Sequence, residues 1–254
     1  MIKSKRHFLL SLLITATMHL NAGSIRIMPV GNSITQGYIG GIGVLADGYQ
    51  SGYRFHLWNS LTSANYNVDF VGSRNHGYAK TPSFDYNHEG YAGWTTHNIA
   101  NHIYGFLVNN QPDIILLHIG SNDVSPSQAN SSSVSGLNDI LNEIDTYEND
   151  YNHPIHIVLA TIIQRNSFYH QTLRDYNQNL INLANSRIAD GDKITLIADM
   201  EYRLSPNDYS DGAHPNNSGY HKMSNSWFLA LKDILGEPNN NAWLIPAVYN
   251  VMLN

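Results

Sequence analysis

Residues 25–38 read IRIMPVGNSITQGY, a compact apolar run followed by a glycine and then a serine. The apolar part, residues 25–30, indicates a short buried strand, and Gly31 directly behind it indicates a turn. Ser33 then follows just past the carboxyl end of that strand. In open α/β sheets ligands bind at this end, because the strands meet loops there instead of another packed layer. The stretch therefore predicts that Ser33 is presented at a binding edge.

This stretch alone leaves two interpretations of Ser33 open. Gly-Asn-Ser is ordinary turn chemistry, and the serine could cap the segment that follows. As a nucleophile it would instead need a base to take its proton, an acid to orient the base, and donors for an oxyanion. The choice depends on whether the rest of the chain supplies these groups.

The composition favours one globular α/β domain. Of the 254 residues, 42% are hydrophobic and 13% are charged, which excludes a disordered chain. Cysteine is absent, and this excludes disulfides, thiol catalysis and zinc–thiolate sites. The net charge of −6 and the lack of a long basic run argue against a nucleic-acid partner.

Residues 1–22 have the layout of a secretory signal peptide. Three basic residues precede a largely apolar run at residues 8–18, and the small residues Ala22 and Gly23 follow. Because the run is too short to span a bilayer comfortably, we expect cleavage near this point and a secreted or periplasmic product, with an uncleaved anchor as the alternative. Loss of the three basic residues would change the net charge from −6 to −9.

Apolar runs that alternate with helical periodicities predict a mostly parallel sheet of five strands with helices on both faces. The predicted strands are residues 25–30, 68–71, 114–119, 155–160 and 194–198. The predicted helices include residues 53–61, 99–107, 137–144, 173–188 and 217–235. We expect residues 23–238 to form the domain and residues 239–254 to form a tail packed back onto it.

Polar clusters follow three of these strands. Ser33 follows the first, Asn122 the third, and Asp211 and His214 the last. In a parallel sheet these points share one edge, so distant residues can converge there. The spacing lets Asp211 bond Nδ1 of His214 and leaves Nε2 to face Ser33 as a general base. A loop histidine held by a neighbouring carboxylate for structural reasons is the alternative.

Two loops are expected at the rim of this edge. Residues 37–52 are rich in glycine, and residues 73–89 are polar and aromatic without a clear period. Walls of this kind would suit sugar contacts better than a long acyl chain.

Four blocks occur in order along the chain: GNSIT at Ser33, GYAGWT at Gly93, GSND at Asn122 and DGAHP at His214. Together they resemble the SGNH hydrolase superfamily, also called the GDSL family, over nearly the whole mature chain. The phrases MPVGNSITQG, DYNHEGYAGWT, PDIILLHIGSNDV and SDGAHPNNSGYHKM are similar to carbohydrate esterase family 3, the acetyl xylan esterases. The GxSxG elbow of the ordinary α/β-hydrolases is absent around Ser33, in agreement with this resemblance.

The resemblance implies a flavodoxin-like, three-layer α/β/α sandwich and ester hydrolysis without a metal or another cofactor. It implies Ser33 as the nucleophile, His214 as the base and Asp211 as the orienting acid. The oxyanion hole would then consist of the backbone amides of Ser33 and Gly93 and the side-chain amide of Asn122.

Further residues are assigned on the same resemblance. Gly93 is preferred to Gly90 because AGWT resembles the small-Gly-x-Thr step of the family. Arg54, Tyr91 and Trp94 are expected to contact the substrate.

Two positions depart from the family pattern. Asn32 replaces the aspartate of GDS, so a hydrogen bond remains available but the local charge differs. Ser121 replaces the threonine of GTND and keeps a hydroxyl. Neither position carries a group that transfers a proton, so we expect activity to be retained.

The expected substrate is an acetylated polysaccharide or oligosaccharide such as acetylated xylan, hydrolysed by a monomeric enzyme. A lipase, lysophospholipase or thioesterase on the same fold is the alternative within enzymes. A carbohydrate-binding protein without catalysis is the alternative from another class. The presence of Ser33, Asp211 and His214 together favours an esterase.

Overall fold

A computed structural model of the protein describes residues 23–41, 46–126, 130–164 and 171–238. The signal peptide predicted at residues 1–22 and the tail predicted at residues 239–254 lie outside the described residues. Within the described ranges, no helix combines the length and the apolar character needed to cross a membrane.

The strands of the described chain form one parallel sheet. They are β1 Ile25–Gly31, β2 Val68–Phe70, β3 Glu89–Gly90, β4 Ile114–His118, β5 His156–Ala160 and β6 Ile194–Ile197. Their order is β2-β1-β4-β5-β6, and β3 pairs with the last two residues of β1. All pairs are parallel, which confirms the mostly parallel sheet. The sheet has one strand more than predicted, because the two residues of β3 are too few to show a period.

The helices cover both faces of the sheet. They are α1 Ser33–Gln36, α2 Gly52–Ser63, α3 Thr96–Asn110, α4 Ser135–Tyr151, α5 Gln171–Asp190 and α6 Asn217–Leu235. Helices α3, α4 and α5 pack on one hydrophobic core, and α2 and α6 pack on the other. The alternation along β4 separates the two cores, since Ile115 and Leu117 face the first while Ile114 and Leu116 face the second. The predicted α/β/α sandwich is confirmed.

Candidate active site

The sharp turn from β1 into α1 presents Ser33. A Cβ on Gly31 would lie 2.3 Å from the carbonyl oxygen of His118 on the neighbouring strand, so only glycine fits there. Asn32 caps the one-turn helix by accepting the amide of Ile34 at 3.1 Å. Ser33 is therefore the first residue of α1, and it is 9% exposed.

Three predicted side chains meet at this edge. The Oγ of Ser33 lies 2.9 Å from Nε2 of His214, across a separation of 181 residues. The Nδ1 of His214 lies 2.9 Å from Oδ2 and 3.1 Å from Oδ1 of Asp211. This arrangement can move a proton from the hydroxyl to the imidazole, because the carboxylate holds the ring with Nε2 towards the serine.

Asp211 is held in its charged form. Partial burial alone would raise its pKa, but the amides of Ala213 and His214 and the imidazole of His214 outweigh burial, so the pKa of Asp211 lies below its ordinary value. Both amides donate to Oδ1 at 2.7 Å, which leaves Oδ2 directed at the ring. The carboxylate can thus keep His214 in the Nδ1–H tautomer, which leaves Nε2 free to accept a proton from Ser33.

Residues 210–214, here called the acid–base loop, are anchored at their amino end. The carboxylate of Asp208 accepts the backbone amide and the hydroxyl of Ser205, both at 2.7 Å. It also accepts Ser218 Oγ at 2.8 Å and Lys222 Nζ at 2.5 Å, both from α6. The contacts of Asp208 with Ser205 and α6 therefore hold the amino end of the acid–base loop in place.

Asn122 and Gly93 are the two further residues predicted to supply oxyanion donors. The side chain of Asn122 lines the cleft next to Ser33 and donates from Nδ2 to the carbonyl of Trp94 at 2.7 Å. Gly93 has a φ of +82°, and nothing lies within 4 Å of the position its Cβ would occupy. Its neighbour Ala92 donates its amide to Oε1 of Gln36 on α1 at 3.1 Å. Gly93 is thus fixed between two anchored residues, and among the described residues no hydrogen bond occupies its amide.

Gly90 differs from Gly93 in this respect. Its amide donates to Nδ1 of His88 at 2.8 Å, and a Cβ on it would lie 2.6 Å from the backbone nitrogen of Gln36. Burial holds the pKa of His88 well below its ordinary value, so the imidazole stays a neutral acceptor for this bond. The amide of Gly90 is therefore already bonded, and the role of Gly93 as an oxyanion donor stays a prediction.

Asp123, which follows Asn122, ties the segment after β4 to the start of α3. Its carboxylate accepts the backbone amide of Thr96 at 3.1 Å and the hydroxyl of Thr96 at 2.5 Å. Sequence reasoning missed this contact and that of Gln36, because each partner lies in a different block and neither residue type has a period or a motif of its own.

A cleft of about 50 Å³ opens at Ser33. Its described lining is Ser33, Ile34, Ser121, Asn122, Val124, Ile163, Leu173, Ala213 and His214. None of these residues belongs to residues 37–52 or 73–89, although Tyr38 of the first loop packs on His214. The expected place of both loops at the rim of the site stays a prediction. The lining combines five apolar side chains with the polar side chains of Ser33, Ser121, Asn122 and His214.

Arg54 does not reach the cleft. It is fully buried, and its guanidinium donates to the five carbonyl oxygens of Thr35, Gln36, Gln50, His76 and Tyr86 at 2.6 to 3.0 Å. These bonds hold α1 and the surrounding loops together, so the structure gives Arg54 a supporting role in place of the expected substrate contact.

Tyr91 and Trp94 lie beside the site, outside the described lining of the cleft. Their rings stack with centroids 4.0 Å apart and planes 13° apart, and both are half-buried. The hydroxyl of Tyr91 donates to Glu89 at 2.8 Å. Their contact with substrate stays a prediction.

Asn32, the departure from the family pattern, is completely buried. Its Oδ1 caps α1, whereas its Nδ2 has no hydrogen-bond partner among the described residues. The cap that an aspartate would provide is thus preserved without placing a charge in the interior. In the described ranges, no group of three or more His, Asp and Glu side chains is arranged to hold a metal ion.

Known proteins are similar to this chain in sequence and in the arrangement of their elements. The pattern of the GDSL-like Lipase/Acylhydrolase family matches residues 30–222. Among solved structures, a family 3 carbohydrate esterase of Clostridium thermocellum is 29% identical, with a TM-score of 0.69 over 84% of this chain and 97% of that chain. A family 3 carbohydrate esterase from Talaromyces cellulolyticus has the same fold at 24% identity, with a TM-score of 0.64 over 83% of this chain and 98% of that chain.

A curated relative is also an esterase. A multidomain esterase of Ruminococcus flavefaciens is 31% identical over an alignment of 242 positions that covers 84% of this chain. The chain spans 29% of the length of that relative. The family resemblance seen in the four sequence blocks is confirmed, and the chain belongs to the GDSL-like lipase/acylhydrolase family, the SGNH hydrolases.

Proposed function

We propose that this chain is a secreted or periplasmic serine esterase that removes acetyl groups from a polysaccharide such as acetylated xylan, acting as a monomer. The contact of Ser33 Oγ with His214 Nε2, in line with the bond from Nδ1 to Asp211, carries this proposal. Similarity to a family 3 carbohydrate esterase supports a carbohydrate ester as the substrate.

In the first half of the reaction, Ser33 Oγ attacks the acetyl carbonyl while His214 Nε2 takes the hydroxyl proton. The oxyanion that develops is held by the backbone amides of Ser33 and Gly93 and by Nδ2 of Asn122. Asp211 stabilises the imidazolium. His214 then gives its proton to the sugar oxygen as the ester C–O bond breaks, which leaves an acetyl group on Ser33.

Water completes the cycle by the same route. It occupies the place of the departed sugar alcohol and loses a proton to His214 as it attacks the acetyl-enzyme. The second oxyanion uses the same three donors. Its collapse returns the proton to Ser33 Oγ and releases acetate, so no cofactor takes part in the proposed cycle.

Replacing Asn122 with alanine tests the oxyanion donors. Because Nδ2 would bind the charge that exists only in the transition state, we expect kcat to fall about 100- to 1,000-fold with little change in KM. Steady-state kinetics with p-nitrophenyl acetate measure this effect. Asn179→Ala is the control, since Asn179 also donates to a backbone carbonyl, that of Ser132 at 3.0 Å, away from the cleft. Equal activity of the Asn122 variant and the wild type would remove Asn122 from the mechanism.

The size of the cleft predicts a preference for short acyl groups. A methylene that a pocket cannot accept costs about 10-fold or more in kcat/KM, so we expect acetyl esters to react at least about 10-fold faster than octanoyl esters. Comparison of p-nitrophenyl acetate with p-nitrophenyl octanoate measures the ratio. Faster cleavage of the octanoate would favour the lipase alternative, for which the apolar walls Ile34, Val124, Ile163 and Leu173 would serve as an acyl site.

Leu173 offers a sharper version of this test. Leu173→Ala would enlarge the cleft and raise the rate with p-nitrophenyl butyrate relative to the acetate. Leu180→Ala is the matched control, because Leu180 lies in the same helix and is equally buried but does not line the cleft. Both truncations should cost about 2 to 5 kcal/mol of stability, so only a change in acyl preference separates them. An unchanged preference in the Leu173 variant would show that this wall does not set chain length.

Acetate release from acetylated xylan tests the carbohydrate part of the proposal. The wild-type protein should release acetate, and Ser33→Ala should release none. If the protein hydrolysed p-nitrophenyl acetate but released no acetate from acetylated xylan, it would be an esterase that acts on another class of substrate. Binding to xylan without hydrolysis of any ester would support the non-catalytic alternative.

A further inference from the structure

Residues 38–41, here called the strap, run from the nucleophile helix to the acid–base loop. The strap begins after Gly37, whose φ of +93° turns the chain out of α1. The backbone amide of Tyr38 donates to the carbonyl of Ser33 at 2.9 Å. The carbonyl of Tyr38 accepts the hydroxyl of Tyr220 on α6 at 2.6 Å. Hydrogen bonds therefore hold both the amide and the carbonyl of Tyr38, and the amide is bonded to the backbone of the nucleophile, Ser33.

The side chain of Tyr38 packs on the imidazole of His214. The ring centroids lie 4.6 Å apart, and the planes are tilted by 53°. Ser33 and Asp211 hold the imidazole through its two nitrogens, whereas Tyr38 supplies an aromatic contact against the ring. The phenol hydroxyl makes no hydrogen bond within the described part of the chain, so the contact depends on the ring alone.

Gly40 contacts the other half of the acid–base loop. Its amide donates to Oγ of Ser210 at 3.1 Å, and the amide of Ser210 donates to the carbonyl of His214 at 2.9 Å. A Cβ on Gly40 would lie 1.8 Å from Oδ2 of Asp211, the oxygen that faces the imidazole. A residue larger than glycine would thus displace the carboxylate that orients the base.

We propose that Tyr38 and Gly40 are positioning residues for catalysis, Tyr38 by restricting the orientation of the His214 ring and Gly40 by admitting the Asp211 carboxylate beside it. This role rests on the proposed function, because it acts through the base and its acid. Efficient proton transfer needs Nε2 to face Ser33 Oγ while Nδ1 stays bonded to Asp211, and small misplacements of catalytic groups lower rates steeply. Since the strap starts at the backbone of Ser33, it couples the position of the nucleophile to that of the base.

Two substitutions at Tyr38 separate positioning from general packing. Tyr38→Leu removes the aromatic ring, and we expect kcat for p-nitrophenyl acetate to fall about 10-fold with KM unchanged. Tyr38→Phe keeps the ring and should restore the wild-type kcat. The rate at which a fluorophosphonate inactivates Ser33 should fall in parallel with kcat in the leucine variant, because that reaction also needs the oriented base.

Gly40→Ala provides a second measurement. The displaced Asp211 carboxylate should lower kcat about 100-fold, again without a matching rise in KM. Gly105→Ala is the matched control, because a Cβ on Gly105 of α3 meets nothing within 4 Å. Thermal denaturation of every variant checks that the fold is retained.

The outcomes separate the role of the strap from the proposed function. Wild-type kcat in both Tyr38→Leu and Gly40→Ala overturns the positioning role while Ser33-dependent hydrolysis stands. A phenylalanine variant as slow as the leucine variant also overturns it for Tyr38, since the hydroxyl would then be responsible. Absence of Ser33-dependent hydrolysis in the wild-type protein overturns both the proposed function and this role.

Discussion

Replacing Ser33 with alanine is expected to lower kcat by about 10⁵-fold or more with every ester substrate. The alanine leaves no atom that can form the covalent acetyl-enzyme, and the uncatalysed attack of water must take its place. The fold should persist, because the Ser33 hydroxyl makes one hydrogen bond within the described residues, to His214. Loss of one such bond costs about 1 kcal/mol, which lowers Tm by about 2 to 4 °C in a domain of this size.

Ser224→Ala is the matched control for this experiment. Ser224 is fully buried on α6, and its hydroxyl donates to the carbonyl of His221 at 2.7 Å. Its removal should lower Tm to a similar extent and leave kcat unchanged. If Ser33→Ala retained more than about 1% of the wild-type kcat, a role for Ser33 as the nucleophile would be excluded.

Asp211→Asn is expected to lower kcat by about 10⁴-fold through the tautomer of the histidine. The amides of Ala213 and His214 both donate to Oδ1, so an asparagine would keep its carbonyl oxygen at that place. Its NH₂ group would then occupy the position of Oδ2, 2.9 Å from Nδ1 of His214. The ring would have to accept at Nδ1 and carry its proton on Nε2, where it cannot act as a base towards Ser33.

The loss of the negative charge of Asp211 is the second reason for the expected fall in kcat. Since the pKa of Asp211 lies below its ordinary value, its carboxylate is ionised at neutral pH and stabilises the imidazolium in the wild-type protein. Asp199→Asn is a control with the same loss of charge at a side chain that is 54% exposed and paired with Arg203. Steady-state kinetics at neutral pH provide the measurement. A kcat within about 10-fold of the wild type for Asp211→Asn would show that Asp211 does not set the tautomer.

Much of the fold could be predicted because its strands are long enough to carry a pattern. The strand β4 Ile114–His118 is buried throughout, and its residues 114–117 form a continuous hydrophobic run, as in parallel central strands. By contrast, β3 has two residues in a segment without a period, and its pairing with the end of β1 depends on the tertiary structure. No local pattern could have indicated it.

The meeting of Ser33, Asn122 and His214 could be predicted because each follows a strand of one parallel sheet. Topology brings the carboxyl ends of such strands to one edge, whatever lies between them in the sequence. The contacts that hold these residues in place, such as those of Arg54, follow no comparable rule. The long cationic side chain of Arg54 would ordinarily be assigned to the surface or to a ligand. Its burial becomes favourable only when carbonyl groups from several separate segments surround the guanidinium.

The residues that line the cleft could not be predicted from the sequence either. Leu173 has the same helical spacing as the core residues Tyr176 and Leu180 of α5, and the sequence does not distinguish a buried core position from a cleft wall. The glycines of residues 37–41 predicted a loop but not its contact with the acid–base loop. That contact depends on how closely two backbone segments far apart in the sequence approach each other, which no local pattern shows.

The most direct test of the central claim is to identify the residue that a fluorophosphonate modifies, by peptide mapping with mass spectrometry. Ser33, His214 and Asp211 acting as one unit predict a single adduct on Ser33 in the wild-type protein. They also predict a rate of labelling that falls by orders of magnitude in His214→Ala. Labelling of a different residue, or equally fast labelling of Ser33 without the imidazole, would contradict the account.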